Sequence, residues 1–138
     1  MNEMDIPAHR NERRRLHDPA RTDCPGRSVF ETVTNPWRFL ILWCLREGPL
    51  RFYQLRDTVE GISERMLSQN LKKLTRDGLL DRRVEAASPP RVSYALTPIG
   101  KELTEVIETL ADWIDRRTTD VERARARYDA TVVGEQLR

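Results

Sequence analysis

The sequence predicts a mainly helical protein with one small β-hairpin, and three observations support this fold class. Apolar residues recur at helical spacing in several segments that begin at cap residues. Residues 79–84 and 92–96 read as two strands, and the Pro89-Pro90 pair stiffens the turn between them. A length of 138 residues suits a single domain with one modest core.

Three helices are predicted ahead of residue 62. Residues 28–33 form a short first helix with one apolar face. Asn35-Pro36 is typical of an N-cap followed by proline in the first helical turn. The helix that follows is apolar almost all the way round and ends at Gly48-Pro49, which places it in the centre of the domain. A third, shorter helix covers residues 51–59.

A fourth helix is predicted from Ser63 to Asp77, with Ser63 as its cap and Gly78 just beyond its end. At 100° per residue its leucines fall on one face. The opposite face is basic and carries an amide: Arg65, Gln69, Lys72 and Arg76. Arginine and lysine can donate to guanine and glutamine can pair with adenine, so this face suits the major groove of DNA.

The position of each polar residue along this helix predicts its role. The N-terminal half of a recognition helix enters the groove most deeply, so Arg65, Ser68 and Gln69 are the candidates for base contact. Contacts to the DNA backbone are expected from Lys72, Lys73 and Arg76. Ser63 is a further candidate DNA-binding residue, and Arg91 at the hairpin tip is expected to meet the minor groove or a phosphate strand. A solvated helix face and a hairpin that only closes the core are the alternatives.

Charge and motif content limit the function classes. Residues 63–91 carry seven positive and four negative side chains, whereas the whole chain is only +2, which weakly favours a polyanionic partner. No phosphate loop, nucleophile motif or paired apolar carboxylates are present, and His9 and His17 have no metal-ligand pattern around them. We therefore expect no enzyme activity, cofactor or metal.

No apolar run approaches a membrane span, and the Arg13-Arg14-Arg15 run has no apolar stretch behind it. Neither a membrane partner nor a signal or transit peptide is therefore indicated, and a cytoplasmic location is expected.

Three segments are expected along the chain: a disordered arm at residues 1–23, a folded domain at 24–117 and a charged, partly helical tail at 118–138. The last helix of the folded domain begins after Thr97-Pro98. It carries an apolar stripe wider than the small domain needs, formed by Leu103, Val106, Ile107, Leu110, Trp113 and Ile114. The stripe predicts a homodimer, with packing on its own domain as the alternative. A symmetric dimer predicts a pseudo-palindromic operator.

Several short motifs, in their order and spacing, resemble the HxlR-type winged helix-turn-helix regulators of bacteria, which are related in architecture to the MarR-type regulators. The resemblance covers roughly residues 24–117. Its carriers are Cys24-Pro25, Trp37, Gly48-Pro49-Leu50-Arg51-Phe52, Ile62-Ser63-Glu64-Arg65-Met66-Leu67-Ser68, Leu71, Leu74, Asp77-Gly78-Leu79, Pro89-Pro90-Arg91-Val92 and Tyr94-Ala95-Leu96-Thr97-Pro98-Ile99-Gly100. The stretch Thr34-Asn35-Pro36 departs from the family pattern, which more often has glycines and a lysine.

The resemblance implies a homodimer that holds the fourth helix in the major groove, uses the hairpin as a wing and pairs through its terminal helices. Arg51 matches the family's basic residue ahead of the helix-turn-helix, which implies a phosphate contact. The function expected is a sequence-specific transcriptional regulator, most simply a repressor. A winged-helix module that binds an acidic protein instead of DNA is the alternative.

Cys24 lies between Arg21 and Arg27, just ahead of a predicted helix, and both features favour a thiolate. Relatives in the family sense oxidants or electrophiles through the equivalent cysteine, so the resemblance makes Cys24 a candidate redox sensor. An inert packing thiol and a small-molecule effector bound elsewhere are the alternatives. Cys44, within the apolar helix, is expected in the core.

Overall fold

The computed structural model describes residues 20–137 of the chain. Residues 1–19, which make up most of the expected disordered arm and include both histidines, lie outside the described residues. The described residues divide into two compact units, the first ending at Lys101 and the second beginning at Glu102.

The described part is mainly helical with a small sheet, which confirms the predicted fold class. In chain order the elements are α1 (Gly26–Val33), α2 (Pro36–Cys44), a 3₁₀ turn (Leu45–Glu47), β1 (Leu50–Arg51), α3 (Phe52–Thr58), α4 (Glu64–Arg76), β2 (Leu80–Glu85), β3 (Arg91–Leu96) and α5 (Pro98–Gln136).

The predicted cap residues do begin their helices. The Asn35 side-chain oxygen accepts hydrogen bonds from the backbone N–H groups of Trp37 (3.0 Å) and Arg38 (3.2 Å), and Pro36 occupies the first turn of α2. Past the end of α4, Gly78 adopts a φ of 75°, in the left-handed region that glycine enters without strain. The chain can therefore turn directly from α4 into β2.

The sheet has three antiparallel strands in the order β1-β3-β2, one more than the hairpin predicted from the sequence. β2 and β3 form that hairpin, while β1 adds Leu50 opposite Tyr94 and Arg51 opposite Ser93. A strand of two residues is too short to show alternation in a sequence. Only its pairing with β3 makes it visible.

The core of the first unit consists mainly of branched aliphatic side chains from the central helices and the base of the sheet. Its most deeply buried members are Ile41, Leu42, Leu45, Leu55, Leu67, Leu71, Leu74 and Leu80. α2 supplies the first of these residues, as expected for the most apolar helix. Cys44, predicted in the core, is only partly buried.

α5 begins in the first unit, where Thr97 and Gly100 bring its start against the end of α4. The Thr97 hydroxyl donates to the Gly78 carbonyl (2.6 Å) and accepts from the Gly100 N–H (3.1 Å). A Cβ atom at Gly100 would overlap the Leu79 carbonyl oxygen, so only glycine fits there. α5 continues without a break to Gln136, so residues 118–136 of the expected tail are helical.

Candidate DNA-binding interface

α4 separates an apolar face from a polar one. Leu67, Leu71 and Leu74 are 0–1% exposed, which fixes the helix against the core. Ser63, the residue before the helix, accepts the Met66 N–H on its side-chain oxygen (3.1 Å). Buried leucines and a formed cap together hold the opposite face in a defined position.

The polar face of α4 is open to solvent, as its helical spacing predicts. Arg65, Gln69, Lys72 and Arg76 are exposed. Two other predicted contacts are less free: Ser68 is half-buried, and Lys73 is half-buried with its ammonium 3.9 Å from an Asp77 carboxylate oxygen. The outer surface of α4 therefore presents cationic and amide groups, flanked by a hydroxyl and a partly compensated lysine.

Sequence reasoning missed Asn70, which is buried beside the leucines of α4. Its side-chain NH2 donates to the Met66 carbonyl (2.7 Å), and its side-chain oxygen accepts from Arg38 Nε of α2 (2.9 Å). A buried amide is costly unless it is hydrogen-bonded. This pair therefore links α4 to α2, and the detectable signal was an amide placed between leucines at helical spacing.

The two helices of the helix-turn-helix, α3 and α4, meet at a surface ion pair. Arg56 Nη1 lies 2.9 Å from Glu64 Oε1. The hydrogen bonds that the Arg56 guanidinium donates to Glu64 and to Asp57 raise its pKa. The pair is exposed, so we expect it to orient the turn more than to stabilise the fold.

Arg51 and Arg91, the remaining predicted DNA contacts, are exposed on the sheet. Arg51 precedes α3: its backbone N–H donates to Gln54 Oε1 (2.8 Å), and its guanidinium lies 5.1 Å from the centre of the Tyr53 ring. Arg91 begins β3 and lies opposite Glu85 in the strand register of the hairpin.

The arrangement of α3, turn, α4 and hairpin is matched by known proteins. The model of the HxlR-like helix-turn-helix family matches residues 32–122, which span all of these elements. The chain belongs to this family. Its relatives are helix-turn-helix transcriptional regulators, not enzymes, and the family implies DNA binding.

Individual relatives agree with the family. The HTH-type transcriptional regulator YtfH of Escherichia coli (strain K12) is 46% identical over 98 residues, 71% of this chain and 78% of the relative. The solved structure of ytfH from Salmonella typhimurium is 41% identical with a TM-score of 0.72, covering 78% of this chain and 96% of that one. The winged helix-turn-helix fold is therefore shown.

A solved structure of the redox regulator HypR in its oxidised form is also similar. It is 28% identical with a TM-score of 0.63, covering 67% of this chain and 96% of that chain.

Cys24 is only 4% exposed and lies just before α1. The two arginines expected to favour its thiolate both pair with carboxylates: Arg21 Nε is 3.0 Å from Asp23, and Arg27 Nε is 3.2 Å from Glu31. Burial raises the pKa of the other thiol, Cys44, against a smaller opposing effect of Arg46. Cys44 is therefore a poor nucleophile near neutral pH.

α1 also contacts the end of α4. The buried hydroxyl of Thr32 lies 3.1 Å from Asp77 Oδ2, at the C-cap of α4. The same hydroxyl lies 3.0 Å from the Ser28 carbonyl within α1. A shift of α1 would therefore alter this contact at the C-terminal end of α4.

In the second unit, the apolar stripe of α5 is mostly open to solvent. Val106, Leu110, Trp113 and Ile114 are 45–64% exposed, and Leu103 is half-buried. Ile107 is only 3% exposed within the single chain, so it is not part of this open surface. Exposed apolar residues continue beyond the predicted stripe as Val121, Tyr128, Val133 and Leu137.

Within residues 20–137, no group of three or more His, Cys, Asp or Glu residues could hold a metal ion. None of the described helices is both long enough and apolar enough to span a membrane.

Proposed function

We propose that this protein is a homodimeric repressor that reads a pseudo-palindromic operator with α4. The observation that carries the proposal is the division of α4 into a fully buried leucine face and an exposed basic and amide face. A helix held this firmly can present hydrogen-bond donors to base edges, and only the side chains that bind lose conformational freedom.

The exposed face divides into reading and anchoring residues. Arg65 and Gln69, in the N-terminal half, contact bases together with Ser68 at the edge of the face. Lys72 and Arg76 contact phosphates, with a smaller share from Lys73 because Asp77 partly neutralises it. Ser63, Arg51 and Arg91 contribute further backbone contacts from the cap, the start of α3 and the wing.

A dimer formed through α5 would carry two copies of α4. Support comes from the exposed stripe of Val106, Leu110, Trp113 and Ile114, since apolar surface of this extent is usually covered by a partner. A two-fold dimer makes the two half-sites inverted repeats, with centres about one helical turn of DNA apart.

Cys24 is the candidate sensor of the repressor. Hydrogen peroxide would take two electrons from the thiol, giving a sulfenic acid and water, and the polar oxygen that it adds would disfavour the burial of this side chain. Displacement of α1 would then act on α4 through the Thr32–Asp77 contact and release the operator. Support comes from the similarity to HypR, while the burial of Cys24 requires a local opening before oxidation.

Selection of bound sequences from random duplex DNA by the purified protein tests the function. We expect an enriched inverted repeat whose selected duplex binds about 10³-fold or more tighter than a scrambled one. Equal affinity for all duplexes, or no binding at low salt, would instead support the protein-interaction module.

The sensor is tested separately by measuring operator affinity before and after mild peroxide in wild type and Cys24→Ser. Loss of binding in wild type alone supports the thiol. An equal response of both proteins contradicts it, and no response in either points to a small-molecule effector.

A further inference from the structure

The two adjacent arginines of β2 lie on opposite faces of the sheet. Arg82 pairs with Tyr94 and Arg83 pairs with Ser93, and residues directly opposite in antiparallel strands project to the same side. The sequence does not reveal which of the two arginines lies on the side of α4. Strand alternation places them on opposite sides of the sheet but does not identify the side that packs against the helix.

Arg82 is the arginine on the side of α4. Together with Tyr94 it lines a cleft of about 430 Å³, which we name the α4–β2 cleft. Its other lining residues come from α4: Ser68, Lys72 and Thr75. Arg83 instead lines a separate cleft with Arg46, Glu47 and Lys101.

The α4–β2 cleft has the composition of an anion site. Two of its five lining residues are cationic, the other three carry hydroxyl groups, and none is acidic. Among residues 20–137, neither Lys72 nor Arg82 forms an ion pair, whereas Lys73, Arg56 and Arg46 each do. The two cations of the cleft are thus available to an external anion.

We propose that the α4–β2 cleft binds a backbone phosphate of DNA between Lys72 and Arg82, which makes Arg82 a DNA-binding residue. This inference rests on the proposed function. A helix in the major groove and a wing beside it lie on either side of one phosphate strand, so that strand passes over the surface between α4 and β2. The guanidinium of Arg82 can hold a phosphate through two parallel hydrogen bonds.

The test is the salt dependence of duplex binding by wild type, Arg82→Gln, Arg83→Gln and Arg82→Lys. Each variant is measured on the duplex selected from random sequence and on a scrambled duplex of equal length. Loss of one phosphate contact reduces the steepness of log affinity against log salt by about 0.9, and therefore by about 1.8 for a dimer that loses the contact in both copies. We expect that decrease for Arg82→Gln on both duplexes, a wild-type slope for Arg83→Gln, and a wild-type slope for Arg82→Lys, which keeps the charge.

Three results would overturn the proposal. An unchanged slope in Arg82→Gln removes the phosphate contact. Equal decreases in Arg82→Gln and Arg83→Gln show a general effect of net charge, and a decrease in Arg83→Gln alone assigns the DNA to the other sheet face. If the wild type binds all duplexes equally, the regulator function fails, whereas the slope of Arg82→Gln on the scrambled duplex still tests the phosphate site. If the wild type binds no duplex, both proposals fail.

Discussion

α4 and α5 are both amphipathic helices, and they differ in whether the apolar face is buried. The leucines of α4 are buried within the first unit, and the helix presents charged and amide groups to solvent. α5 leaves Val106, Leu110, Trp113 and Ile114 in contact with water. Both helices carry an apolar stripe at helical spacing. The stripe of α4 is buried, so its free surface is polar, whereas the stripe of α5 remains exposed.

The difference indicates what each surface binds. A polar, cationic surface gains from a polyanion, whose bound counterions are released into solution. An apolar surface gains about 25 cal/mol for each Å² removed from water, which favours another apolar surface. α4 is therefore suited to DNA, and α5 to an apolar partner such as the second copy that we propose.

The largest effect is expected from removing the buried face of α4. Leu71→Ala should lower the free energy of unfolding by about 2–5 kcal/mol, because it opens a cavity in a packed core. Urea denaturation followed by circular dichroism measures this loss. Leu110→Ala, the same change on the exposed stripe of α5, should cost much less at low protein concentration; an equal cost would erase the contrast between the helices.

A charge on the open stripe of α5 should break the dimer. Trp113→Glu buries a carboxylate at the proposed interface, which we expect to weaken self-association by at least 100-fold, about 2.7 kcal/mol. Sedimentation equilibrium measures the mass of the species. Thr119→Glu, on the opposite side of α5, is the matched control, and a dimer that survives Trp113→Glu would exclude the stripe as the interface.

Two substitutions on the open face of α4 should separate reading from anchoring. Gln69→Ala should reduce discrimination at one base pair by about 1–3 kcal/mol, whereas Lys72→Ala should weaken binding to all duplexes alike. Competition binding against single-base variants of the selected duplex distinguishes these outcomes. A uniform loss in both variants would contradict the division of roles.

The smallest effect is expected at the contact between α1 and α4. Thr32→Val removes a hydroxyl hydrogen bond to Asp77 and should lower the free energy of unfolding by about 1 kcal/mol. Thr34→Val is the control, because the exposed Thr34 hydroxyl bonds only the Phe30 carbonyl one turn earlier. If Thr32→Val also leaves the oxidant response of the operator complex intact, the proposed route from Cys24 to α4 is wrong.

Much of α4 could be predicted from the sequence because its information is local. Ser63 as cap, Gly78 beyond the end and the leucine spacing each depend on residues within a few turns of one another. The exposure of Arg65, Gln69, Lys72 and Arg76 follows from the same periodicity, and the structure confirms it.

Other features depend on partners distant in the chain. Asn70 is buried because Arg38, 32 residues earlier, satisfies its side-chain oxygen. β1 exists because β3 pairs with it. Neither of these outcomes follows from spacing alone.

The sequence by itself determined where α2, α4 and α5 begin, where α4 ends, and which face of α4 is polar. Caps, breakers and side-chain periodicity act over one or two turns, so they need no tertiary partner. Only the tertiary structure decided that Arg82 rather than Arg83 lies beside Lys72, and that Cys24 is buried. Strand alternation is symmetric between the two sides of a sheet, and the packing of α4 against β2 is what makes those sides different.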